Sequence, residues 1–98
     1  MALYEKKLRS LAELNDELKT LDADGGVRIR GIFEGKPCFV FVTRYRGRFG
    51  VSIFSTKKGT TGLDVPDQSL SFRHFSEGFE LVAFVRSVAL QPLEAYSY

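Results

Sequence analysis

The sequence predicts an α+β domain in the order α-β-β-β-(β)-α: a three- to four-stranded antiparallel sheet with an N-terminal and a C-terminal helix packed on one face. Leucines recur at helical spacing ahead of Gly25–Gly26. Through the middle of the chain, β-rich runs alternate at period two between short glycine-containing links. Helical spacing then returns after Ser76. Ninety-eight residues suffice for one hydrophobic core and not for two, so 1–98 is read as a single domain.

The first helix is predicted over residues 2–21, where Leu8, Leu11, Leu14, Leu18 and Leu21 share one side and Glu, Asp and Lys occupy the other. Tyr4, Leu11, Leu14, Leu18 and Leu21 also fit a heptad seam, broken by Lys7 and too short for a coiled coil. Strands are predicted at about Val27–Glu34, Cys38–Tyr45 and Phe49–Ser55, joined by Gly35-Lys36-Pro37 and Arg46-Gly47-Arg48. Residues 57–62 read as a basic loop and Val65-Pro66-Asp67 as a turn, with Ser69–Arg73 as a possible fourth strand. Ser76 is a candidate N-cap for a helix running towards Pro92, with Glu77 and Glu80 near its positive end. Leu81–Val85 fits a buried strand equally well, so both assignments stay open for it.

Charge is distributed unevenly. Residues 27–61 hold eight bases and one acid, whereas residues 1–26 hold four and six, and residues 62–98 two and five. The total of +2 thus conceals a middle segment of +7. Six aromatic rings are interleaved there: Phe33, Phe39, Phe41, Tyr45, Phe49 and Phe54. Positive charge alternating with planar rings suits a polyanion whose bases stack, namely single-stranded nucleic acid.

Strand alternation sorts these residues onto two sides. Val27, Ile29, Phe33, Cys38, Val40, Val42, Phe49, Val51, Ile53, Leu70 and Phe72 form an apolar side suited to a helix-covered core. Arg28, Arg30, Phe39, Phe41, Thr43, Tyr45, Ser52, Phe54, Ser69, Ser71 and Arg73 form the other. Two short helices cover one sheet face, so the second is expected to be open or covered by a partner. Rings on it would stack on bases at ~1–3 kcal/mol each with little regard to sequence. The expected nucleic-acid-binding residues are Arg28, Arg30, Phe39, Phe41, Arg44, Tyr45, Arg46, Arg48, Phe54, Lys57, Lys58 and Arg73. Arg44, Arg46 and Arg48 make the densest cluster, with Gly47 allowing close approach of a phosphate. The competing expectation is a protein-interaction or dimer interface, because aromatics and arginine are enriched there too. Either way a homodimer or higher homo-oligomer is expected.

The pattern argues against catalysis, cofactors and metals. His74 and Cys38 are single copies, Cys38 falls on the core side, and no zinc spacing exists. Lys57-Lys58-Gly59-Thr60-Thr61-Gly62 lacks the order of a nucleotide-binding P-loop. The opening MALYEKKLRSLAEL has no secretory pattern, and one cysteine makes no internal disulfide, so a cytoplasmic protein is expected. Only Asn15, Gln68 and Gln91 carry side-chain amides, a depletion typical of thermophile proteins.

The aromatic, arginine-edged segment Val27–Phe54 with its flanking helices resembles the archaeal ThermoDBP family of single-stranded-DNA-binding proteins and its relatives. That resemblance implies a hydrophobic cleft flanked by basic residues, single-strand binding with little sequence preference, and a dimeric or higher assembly. Lys57-Lys58-Gly59 and the α-β-β-β-α order are also similar to double-stranded-RNA-binding domains. Those place their lysines at the start of the last helix, whereas here residues 60–75 intervene, which argues against duplex RNA.

Overall fold

The computed structural model describes residues 6–98. It is α+β, with one antiparallel sheet and two helices, and the sheet has six strands rather than three or four. In chain order the elements are β1 (Lys6–Leu8), α1 (Leu11–Lys19), β2 (Gly26–Phe33), β3 (Lys36–Tyr45), β4 (Arg48–Lys58), β5 (Asp64–Phe75), α2 (Gly78–Val88) and β6 (Ala95–Ser97). Across the sheet the strands run β1-β6-β2-β3-β4-β5, so the first and last described strands are neighbours at one edge. Among the described residues no helix is long and apolar enough to cross a membrane.

The predicted first helix is shorter than 2–21. Ser10 caps it, its hydroxyl accepting from the Glu13 amide at 3.1 Å, and Lys6–Leu8 pair as a strand with Ala95–Ser97. Residues 2–5 of that prediction lie outside the described residues. Leucine spacing misleads here because Leu8 is fully buried from a strand while Leu14 and Leu18 are buried from the helix. The ambiguous stretch 81–85 is helical, buried through Leu81, Val85 and Val88; its cap position is Glu77, not Ser76. Lys57 and Lys58 extend β4 rather than forming a loop, and Val65-Pro66-Asp67 lies within β5. A proline is tolerated there because β5 is an edge strand.

Both central hairpins turn on two residues with positive φ, Glu34-Gly35 and Arg46-Gly47. Such mirror-image turns match the twist of the strands they join. Gly31 serves a different purpose: a Cβ there would stand 2.5 Å from the Val88 carbonyl oxygen, so only glycine lets the end of α2 reach β2.

The core lies between the helices and one sheet face. Leu14 and Leu18 of α1 and Leu81, Val85 and Val88 of α2 meet Val27, Ile29, Val40, Val42, Val51 and Ile53. On β2, β3 and β4 this is the side that alternation assigns to the core.

On β5 the assignment reverses. Phe75 pairs with Phe49 and packs against Phe84 of α2 with ring centroids 5.5 Å apart, so Phe75, Arg73 and Ser71 turn towards the helices. Phe72 therefore lies opposite Ser52 on the other face, 58 % exposed, and Arg73 lies opposite Val51 on the helix side. Two register shifts between Ile53 and Thr56 break the pairing further along, where Leu70 is left exposed. The placement of Leu70 and Phe72 in the core, and of Arg73 on the binding face, is thereby corrected.

Candidate nucleic-acid interface

Cross-strand register assembles the face away from the helices. Lys7, Tyr96, Arg28, Phe41, Ser52 and Phe72 stand opposite one another in turn, forming one line across all six strands. At ~4.8 Å between strands the line runs roughly 24 Å. A parallel line holds Arg30, Phe39, Phe54 and Ser69, and a third places Thr43 and His74 on either side of Gly50. Having no side chain, Gly50 leaves room beside it for the Phe72 ring.

The rings contact one another in two groups. Phe39 and Phe41 stack with centroids 6.2 Å apart, Phe54 meets Phe41 edge-on at 5.7 Å, and Phe72 meets His74 edge-on at 4.7 Å. Three arginines lie over aromatic faces on this side: Arg28 over Tyr96 at 4.9 Å, Arg30 over Phe39 at 4.6 Å and Arg46 over Tyr45 at 5.2 Å. Such cation–π contacts hold the guanidinium groups flat against the surface.

The expected binding residues divide into four groups. Arg28, Phe41, Tyr45, Arg46, Arg48 and Phe54 lie on the face or at its β3–β4 tip, with Tyr45 65 % exposed and Phe41 and Phe54 half-buried. Phe39 is on the face but only 5 % exposed, so it supports the surface from beneath. Arg44 and Arg73 are on the helix side instead. Arg44 lies over Phe49 at 4.5 Å, and Arg73 over Phe33 at 5.2 Å and Phe84 at 4.8 Å.

Arg30, Lys57 and Lys58 are held by carboxylates of β5. Asp64 accepts from Arg30 at 2.9 Å and pairs with Lys58 at 2.8 Å, while Asp67 lies 3.7 Å from Lys57. The positive charge of the middle segment is thus partly cancelled by acids that follow it in sequence. Four residues missed in the sequence also belong to the face or its rim: Lys7, Phe72, His74 and Tyr96. Tyr96 and Tyr98 alternate about Ser97, which is a strand signal, although three residues make a short one.

The face consequently has two unlike ends. A groove of about 260 Å³ lined by Arg28, Arg30, Phe39, Leu63, Asp64, Glu94 and Tyr96 mixes both charge signs. At the β3–β4 tip, Tyr45, Arg46, Arg48 and His74 line a cavity of about 340 Å³ without a carboxylate.

Hydrogen bonds from Lys58 and Arg30 hold the Asp64 carboxyl below the ordinary value of 3.8. A depressed carboxylate stabilises the fold fully above its unfolded value and loses that contribution as pH falls through the folded one. Asp64→Asn is therefore expected to melt below the native chain at neutral pH. The gap should close as pH drops below 3.8, readable from melting curves over a pH series. A gap independent of pH would show that these ion pairs do not matter to stability.

Burial pushes the Cys38 thiol up, partly offset by the charge of Arg30, so Cys38 is a core filler rather than a nucleophile. Among the described residues no three His, Cys, Asp or Glu side chains stand together as a metal-binding group. Comparison of the chain with protein-family models, curated proteins and solved structures finds no match.

Proposed function

We propose that this chain binds single-stranded DNA or RNA across the sheet face, with little sequence preference. The observation that carries this reading is the line Lys7–Tyr96–Arg28–Phe41–Ser52–Phe72, in which bases and rings share one surface. Exposed Tyr45 and Phe72 and half-buried Tyr96 offer stacking platforms, while Lys7, Arg28, Arg46 and Arg48 supply charge for the phosphates. A sheet face suits splayed single strands. Duplex DNA fits less well because neither helix presents a basic surface: α1 carries one base, Lys19, and α2 one, Arg86.

Anisotropy titration with labelled oligo-dT and a duplex control, at low and moderate salt, tests the proposal. Tighter binding of the single strand is expected, weakening steeply with salt because binding releases counterions. Equal weak affinity for both, or none at low salt, would contradict it.

The Phe41–Phe54 pair, with exposed Phe72 two strands from Phe41 on the same face, favours a second reading, in which the face joins two copies of the chain. Light scattering then gives twice the 11.0 kDa chain mass, and Phe72→Ala restores the monomer.

A further inference from the structure

We propose that the cavity at the β3–β4 tip receives a terminal phosphate monoester of the bound strand, an inference that rests on the single-strand reading above. Arg46, Arg48, His74 and Tyr45 converge there from β3, β4, β5 and the turn, and all four side chains carry hydrogen-bond donors. None of the lining residues is acidic, in contrast to the groove at the far end, where Asp64 and Glu94 stand beside the arginines.

Two guanidinium groups provide more positive charge than the single charge of an internal phosphodiester requires. A terminal monoester carries about −1.5 to −2 at neutral pH and presents three acceptor oxygens, which match planar, forked arginine donors. Position agrees with charge. The cavity includes His74 of the edge strand β5, two residues beyond Phe72, where the line of rings and bases ends. At about 340 Å³ the cavity is at the small end of ligand sites, sized for one end group rather than a length of polymer.

The turn supplies an informative variant. Arg46 has φ +51°, in the left-handed region that Asn, Asp and Gly occupy most readily in such turns. Glu34 has the same φ of +51° in the β2–β3 turn, so backbone strain alone does not mark a site. What sets Arg46 apart is the cavity. Arg46→Asn should relieve strain while removing one guanidinium charge, and Glu34→Asn serves as the matched control.

The test uses the full chain with three oligo-dT strands of one length: unphosphorylated, 5′-phosphorylated and 3′-phosphorylated. One of the phosphorylated ends is expected to bind about tenfold more tightly than the unphosphorylated strand. That ratio should fall to about one in Arg46→Asn, with melting temperature unchanged or raised, and persist in Glu34→Asn. Equal affinity for all three strands would overturn the site while leaving the single-strand reading intact. A gain identical at both ends and retained in Arg46→Asn would overturn it too, being mere added charge. Failure of every oligonucleotide to bind would remove both.

Discussion

Replacing Phe39 by alanine is expected to lower the stability of the fold by ~3–5 kcal/mol, the cost of truncating a buried phenylalanine. On strand alternation alone the ring belongs to an open surface and its loss leaves no cavity. In the fold it is 5 % exposed, stacked beside Phe41 and covered by the Arg30 guanidinium at 4.6 Å. Truncation removes the floor on which both rest and leaves the Arg30–Asp64 pair without its apolar support. At ~4–8 °C per kcal/mol for a domain of this size, calorimetry should record a fall of well over 10 °C. A variant melting within a few degrees of the native chain would show that this face does not pack as described.

Tyr45→Ala and Phe72→Ala should behave in the opposite way. Both rings are more than half exposed and neither belongs to the core cluster, so melting should change little. Each loses a stacking platform, and affinity for oligo-dT should drop by ~1–3 kcal/mol per ring, measured by the same anisotropy titration. The losses should be roughly additive, because the two rings rest on different neighbours, Tyr45 on Arg46 and Phe72 on His74. Normal binding in both variants would exclude stacking on this face. Early melting in both would favour the interface between copies.

Much of the architecture was legible from periodicity. The α+β class, the three central strands and their two glycine turns followed from alternation and from Gly35 and Gly47, because local signals dominate where side chains pack on the nearest neighbouring strand. Terminal strands were not legible. Lys6–Leu8 and Ala95–Ser97 are three residues each and gain their structure by pairing with one another and with β2, a contact between opposite ends of the chain. No window of sequence records such a pairing.

The proposed binding face was half legible. Alternation places Arg28, Phe41, Tyr45 and Phe54 correctly because β2, β3 and β4 keep an uninterrupted register. It fails on β5, where Phe72 and Phe75 are both plausible core residues and only contact with Phe84 of α2 decides between them. Charge counting fails for a similar reason. Arg30, Lys57 and Lys58 fall in a strongly basic segment, yet the β4–β5 hairpin returns Asp67 to Lys57 and Asp64 to Lys58, and the sheet brings Asp64 to Arg30 as well. A block of like charge in sequence becomes a free surface only if the next strand carries no acid opposite it.

On the proposed reading, single-stranded nucleic acid lies on the sheet face and not on the helices. Titrating oligo-dT into isotope-labelled protein and following backbone amide shifts tests it most directly. Shifts should concentrate at Arg28, Phe41, Tyr45, Arg46, Arg48, Phe72, His74 and Tyr96, leaving Leu11–Lys19 and Gly78–Val88 unmoved. Shifts centred on those two helices, or none at a concentration where anisotropy reports binding, would contradict the account.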